Sequence, residues 1–172
     1  MQRPVLFLAL TLGASACAPE APSERSWGEA HAPIVNGEVN DGDPAVVALT
    51  RRGGSFCTGT LIRHDVVLTA AHCLPPHVPV SDYNRIDVFF GTRVGGTGES
   101  IDVVDGWTHP DWNDDAYFYD IGLIRLKRPA NIDPIPFRTA PMTGEVGTRV
   151  RITGFGLSQG LASDSGIKRV GT

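Results

Sequence analysis

At 172 residues, with 41% of them hydrophobic and 20% charged, the chain has apolar material for one well-cored domain or two small ones, which excludes a disordered tail. The net charge of −4, with Arg51-Arg52 and Lys127-Arg128 as isolated basic pairs rather than a stripe, leaves no electrostatic footprint for nucleic acid. The 20 glycines and 13 prolines are spread along the chain and cut it into short segments with frequent turns, which favours an all-β plan.

The N-terminal stretch MQRPVLFLALTLGASAC has a basic residue, Arg3, an apolar run from Val5 to Leu12 and then small residues, the anatomy of a secretory signal peptide over residues 1–16. The apolar run is too short to span a bilayer as a helix. Ala14-Ser15-Ala16-Cys17 is also similar to a bacterial lipobox, although leucine is usual where Ala14 stands. Cys17 is therefore a candidate for lipidation and a membrane tether, the alternative being an ordinary cleaved leader. Residues 17–33, rich in Ala, Pro, Ser and Glu without an apolar period, read as a propeptide or linker. An exported location, extracellular or periplasmic, follows.

Order is expected from Ile34. PAVVALT (44–50), SFCTGTLI (55–62), DVVLTA (65–70), RIDVFFG (85–91), ESIDVVDGW (99–107) and DIGLIRL (120–126) are short, β-branched or alternating segments. Turn residues such as Asn40-Asp41-Gly42-Asp43 and Gly95-Gly96 separate them. Six such strands are enough to close a small barrel. After a proline-containing connection, 129–141, RVRITGFG (149–156) and GIKRVGT (166–172) predict two more.

Of the three cysteines, Cys17 belongs to the leader region, which leaves the even pair Cys57 and Cys73 in the folded part. In an oxidising compartment a disulfide between them is the expectation, worth about 3 kcal/mol for a loop of this length in the chain-entropy account. Zinc held by Cys57, Cys73 and His72 is the rival. The lack of a Cys-x-x-Cys and of a second histidine at ligand spacing argues against it, so no metal and no cofactor are expected. The acidic loop HPDWNDDAYFYD brings Asp111, Asp114 and Asp115 close in sequence without the spacing or glycine of a calcium loop, and reads as a solvated loop.

Five stretches are similar, in order and rough spacing, to the trypsin-like serine proteases of the chymotrypsin fold: IVNGEV (34–39), FCTGTLI (56–62), VLTAAHCL (67–74), DIGLIRL (120–126) and RITGFG (151–156). The resemblance runs from Ile34 to Thr172. It implies an all-β double antiparallel barrel, the first barrel complete over about 34–128 and the second begun over about 140–172. It implies a peptidase domain over 34–172, with the active site in the cleft between barrels, acting as a monomer on polypeptide substrates. It further implies that Cys57 and Cys73 form the disulfide bracing a catalytic histidine.

Residue by residue, the resemblance makes His72 the general base and acid and Asp120 the carboxylate that fixes its tautomer. Asp120 directly precedes an apolar run, which suggests a buried strand end where an unpaired carboxylate is costly. The nucleophilic serine must follow Asp120 in a Gly-Asp-Ser-Gly-Gly-Pro motif, and no such motif occurs in the 172 residues. Asp164-Ser165-Gly166 lacks the second glycine and the proline and reads as a surface turn. Ile34 is the expected mature N-terminus, though it follows Pro33 where relatives carry Arg or Lys. Two functions are open: a secreted serine endopeptidase represented by its N-terminal portion, or a non-catalytic homologue serving as an extracellular binding module.

Overall fold

The computed structural model describes residues 34–74, 85–160 and 162–172. The expected signal peptide, the linker and Cys17 lie outside the described residues. In chain order the elements are β1 (Glu38–Val39), β2 (Val46–Arg51), β3 (Gly54–Arg63), β4 (Val66–Thr69), a 3₁₀ turn (Ala71–Cys73), β5 (Asp87–Gly91), β6 (Gly98–Thr108), β7 (Gly122–Leu126), β8 (Ile152–Gly154) and β9 (Arg169–Gly171). Strands β2 to β7 close into an antiparallel barrel in the order β2-β3-β4-β7-β6-β5, with β5 pairing back onto β2. The six segments expected from alternation are these six strands, with ends shifted by two residues or fewer. Beside the barrel stands a three-stranded sheet in the order β1-β9-β8. The fold is thus all-β, with one closed barrel and a partial second sheet.

Period-two alternation explains the barrel, with a refinement at two strands. On β2, Val47 and Leu49 point into the barrel core with Leu61, Val67, Val88, Phe90, Ile124 and others, while Val46 and Ala48 point outward and pack with Phe89 and Phe155. On β5, Val88 and Phe90 serve the barrel core and Phe89 the outer cluster. These two strands are apolar on both faces because each face has a different core to fill, whereas strands with a solvated face alternate. Where strands cross closely, side-chain bulk is excluded: a Cβ on Gly59 of β3 would lie 2.5 Å from Val67 Cγ1 and 3.0 Å from Leu49 Cδ1.

The expected strand 149–156 is reduced to Ile152–Gly154, and 166–172 to Arg169–Gly171. β8 pairs only with β9, and no described strand faces its other edge to extend the ladder. β1, which sequence alternation did not predict, pairs with β9 through Glu38↔Val170 and Val39↔Arg169. Both of its side chains are exposed, so no apolar pattern marks it.

Polar contacts fasten this second sheet to the segment before β2. The Asp43 carboxylate accepts from Asn40 Nδ2 at 2.6 Å, from Thr153 Oγ1 at 3.2 Å and from both terminal nitrogens of Arg151. Lys168, only 1% exposed, donates through Nζ to the Asp43 carbonyl at 3.0 Å and lies over the Phe155 ring. Burial pulls its ammonium below the usual lysine range, an effect that the charges of Asp43 and Asp41 oppose. Arg169, also buried, donates to the carbonyls of Gly156 and Asp164 and to the Asp164 carboxylate at 2.7 Å.

A disulfide joins Cys57 of β3 to Cys73 of the 3₁₀ turn. In the unreduced chain both thiols should resist alkylation. Reduction followed by alkylation should lower the unfolding free energy by about 3 kcal/mol in urea titrations, the loop-closure value for this spacing.

Arg151's hydrogen bond, chiefly, holds the Asp43 carboxyl below its ordinary value of 3.8. A depressed carboxyl contributes stability above its unfolded value and loses it as pH falls through the folded one. Amide protection factors in β8 and β9 should therefore drop as pH is lowered below 3.8 while those of β4 hold. Arg151→Ala should already show the reduced protection at neutral pH and flatten this acid limb. An unchanged acid limb in that variant would contradict the assignment.

Candidate active site

The pairing of β4 with β7 positions the two residues that sequence singled out. Its last rung joins Thr69 to Gly122. Two residues before that rung on one chain is Asp120, and three residues after it on the other is His72, carried on the 3₁₀ turn. The turn crosses β7 so closely that a Cβ on Gly122 would lie 2.8 Å from Leu74 Cδ1 and 3.1 Å from the Ala70 carbonyl oxygen. Ala71, the next residue of the turn, is fully buried. Gly122 is thus a residue of the site that sequence reasoning missed; the signal was a glycine inside an otherwise apolar strand.

Asp120 holds His72 at two points. The backbone N–H of His72 donates to Asp120 Oδ1 at 2.9 Å, and ring Nδ1 lies 2.7 Å from Oδ2. With Nδ1 protonated to make that bond, Nε2 carries the free lone pair. His72 is 48% exposed and Asp120 25%, so the ring faces solvent over a largely covered carboxylate. The buried end expected for Asp120 is accordingly corrected: water reaches the carboxylate, and its two bonds to His72 supply the partner that burial would otherwise demand. Below the ring, the Cys57–Cys73 disulfide ties the turn back to β3.

The loop between β6 and β7, read from sequence only for its acidic residues, supplies an aromatic wall. Tyr117 meets His72 edge-on at 6.1 Å between ring centroids, and Trp112 meets Tyr117 edge-on at 5.7 Å. His109 stacks on Tyr119 at 4.8 Å. Tyr117 and Tyr119 both adopt left-handed backbone, at φ 52° and 56°, a conformation uncommon for aromatic residues. An Asn113↔Phe118 bridge and the Ala116 N–H to Asn113 Oδ1 bond hold the loop in that shape. The signal for this wall was the run of Trp, Tyr and Phe without alternation immediately before Asp120. Asp111, Asp114 and Asp115 do not gather into a metal-binding group among the described residues; Cys57, His72 and Cys73 lie close together, but the two sulfurs are joined as the disulfide.

The remaining sequence candidates lie elsewhere. Ser165 is exposed at a turn whose next residue, Gly166, is buried, and the neighbouring Asp164 carboxylate is engaged by the Ser158 N–H and by Arg169. Ile34 is buried; its N–H donates to the Leu157 carbonyl at 2.9 Å, and its side chain lies against Gly37, Gly154 and Gly171.

Comparison with known proteins gives this geometry its context. The sequence profile of the trypsin family matches residues 34–169. A trypsin from Saccharopolyspora erythraea is 33% identical over 129 residues, covering 72% of this chain and 55% of that protein. Trypsin theta of Drosophila melanogaster is 31% identical over 160 residues, covering 88% and 59% respectively. Among solved structures, neuropsin, a serine protease of mouse brain, superposes with a TM-score of 0.66 at 24% identity over 80% of this chain and 63% of that one, a likeness of fold. The chain therefore spans little more than half the length of these curated relatives. A profile match of that extent, over a closed barrel and a partial second sheet, establishes that the chain belongs to the trypsin family of serine proteases.

Proposed function

We propose that residues 34–172 are the N-terminal portion of the peptidase domain of an exported serine endopeptidase. In this reading His72 is the general base and acid and Asp120 its orienting carboxylate. The observation that carries it is the double hold of Asp120 on His72, through the backbone N–H and through Nδ1. A histidine that only filled space would need no carboxylate bonded to both groups. With Nδ1–H fixed on Asp120, Nε2 points its lone pair outward, ready to take the proton of a serine hydroxyl and pass it to the leaving amine. The developing imidazolium is stabilised by the carboxylate beside it, which stays ionised throughout.

The nucleophile and the amides that would bind the oxyanion belong, on this reading, to a Gly-Asp-Ser-Gly-Gly-Pro segment following Thr172 in the whole protein. Ile34 would become the mature N-terminus, and the Leu157 carbonyl that receives its N–H is the contact that would seat it. The leader over 1–16 directs export, in keeping with the disulfide, and Cys17 is the position at which a lipid tether would attach. Polypeptides are the substrate class.

Two measurements test this. The 172-residue chain should hydrolyse no member of a fluorogenic peptide panel and should not react with a serine-directed fluorophosphonate. Labelling of Ser165 that His72→Ala abolishes would overturn the assignment of the nucleophile. The nucleotide sequence following the codon for Thr172 should encode Gly-Asp-Ser-Gly-Gly-Pro in frame; a stop codon there would favour the binding-module reading. In a chain that carries the serine, Asp120→Asn should lower kcat about 10⁴-fold, the usual loss when the orienting carboxylate of such a triad is removed.

A further inference from the structure

Arg125, Lys127, Arg128, Arg138, Arg151 and Arg169 each meet a carboxylate. Arg51, Arg52 and Arg93 are exposed and meet none among the described residues. Sequence separates Arg93 from the Arg51-Arg52 pair, but the fold brings their two turns together: a Cβ on Gly166 would lie 3.4 Å from both Ser55 Cβ and Val94 Cβ. We propose that these three arginines, on the reading that polypeptides are the substrate class, form a docking surface for an acidic stretch of the substrate, outside the His72 site.

The turn between β2 and β3 is built at a cost that packing does not explain. Arg51 pairs with Gly54, so Arg52 and Gly53 are its two central residues, and both have positive φ, 54° and 79°. That is the pattern of a type I′ hairpin, whose first central position favours asparagine. An arginine there is sterically disfavoured and bonds to no group of the fold, so its charge is left for what approaches from water. Arg51 is steadied by the exposed Phe56 ring, 5.3 Å from its guanidinium carbon to the ring centroid, which limits the freedom lost when a partner binds. Arg93 is fixed through its backbone. It bridges to Ile167, its carbonyl accepts from the Gly96 N–H at 2.9 Å, and Val94 beside it donates to the Gly166 carbonyl at 2.8 Å and packs inward with Phe89 and Phe155. Both turns are bare at their tips: no atom lies within 4 Å of where a Cβ on Gly53 or Gly95 would stand.

A few cations on a chain of net charge −4 suit a short anionic segment and not a long polyanion, whose remaining charges the chain would repel. The Phe56 ring adds apolar surface that the carbon stem of a peptide side chain can cover. β3 links the patch to the site. Gly54 stands three residues before Cys57, about 10 Å of strand, and Cys57 lies 6.1 Å, Cα to Cα, from Cys73, the neighbour of His72. An extended chain covers that path in about five residues. An acidic stretch can therefore rest on the arginines while the bond to be cut lies at His72, which lengthens the stay of such substrates without altering the chemistry.

The test uses the full chain and a fluorescein-labelled hexaglutamate peptide, with binding read by fluorescence anisotropy. The chain should bind hexaglutamate but not hexaglutamine, and more weakly as salt is raised. Arg51→Ala, Arg52→Ala and Arg93→Ala should each weaken binding about 3-fold, and together about 30-fold, in the range of exposed charge pairs. Arg63→Ala combined with Arg149→Ala removes two exposed arginines placed elsewhere, and should leave binding unchanged. Arg52→Asn should weaken binding about 3-fold yet raise the urea midpoint, because asparagine suits the turn; a residue kept for structure alone would not show that opposition. Equal losses in the patch and control variants would overturn the proposal, since attraction would then follow overall charge. So would equal binding of hexaglutamate and hexaglutamine. Heparin displacing hexaglutamate at a lower concentration of charge would overturn it too, making the patch a site for polyanions. The readout is binding and not hydrolysis, so the docking surface and the catalytic reading fail separately.

Discussion

The geometry of the site depends on the close crossing of the His72 turn over β7. Asp120 can reach both the backbone and the ring of His72 only because the chain leaving β4 passes within contact of Gly122, where a side chain would push it away. The backbone bond matters as much as the ring bond. It ties the carboxylate to the position of the turn itself, so that a rotation of the imidazole alone does not release Asp120. The disulfide from Cys73 to β3 restrains the same turn from the other side. Three short-range constraints, a glycine contact, a doubly used carboxylate and a covalent link, thus converge on the turn and hold a half-exposed histidine in one orientation without burying it.

Much of this was legible in the sequence, and the reasons differ by element. The barrel strands carry apolar alternation, which reports directly which face meets a core, so their places emerge within two residues. His72 and Asp120 stand in stretches, VLTAAHCL and DIGLIRL, whose likeness to trypsin-like proteases is enough to single them out. Gly122 was present in the same stretch, but nothing local says that another segment crosses it; that fact belongs to the β4–β7 pairing. The aromatic wall was hidden for a related reason. Asp111, Asp114 and Asp115 dominated the composition of its loop, whereas its shape depends on two tyrosines in left-handed backbone and on ring contacts between residues as distant in the chain as His72 and Tyr117. β1 had no side-chain signature at all, since its pairing with β9 is a backbone matter and both its residues face water.

The two sheets are held by different physics. The barrel is an apolar object, with Val47, Leu49, Leu61, Val67, Val88, Phe90, Ile101, Val103 and Ile124 packed inside a closed ladder. Its stabilisation scales with the area removed from water and is indifferent to direction. The sheet β1-β9-β8 has the Phe155 cluster and the buried Ile34 side chain on that footing. The rest of its attachment runs through Asp43, Arg151, Lys168, Arg169 and Asp164, whose hydrogen bonds are directional and whose charges are costly to bury when unpaired.

That difference has a consequence for catalysis of the proposed kind, which needs parts from both sides of a cleft in fixed relation. A histidine braced on a rigid apolar barrel supplies one fixed side. Directional polar bonds on the other side specify register: the Asp43 carboxylate is satisfied only when Asn40, Arg151 and Thr153 all reach it, and Lys168 only when the carbonyls of residues 42 and 43 face it. A slipped sheet would leave the buried Lys168 and Asn40 unpaired, at a cost that a slipped apolar contact does not incur. The polar fastening therefore acts less as glue than as an index, setting where β8 and β9 stand against the barrel that carries His72.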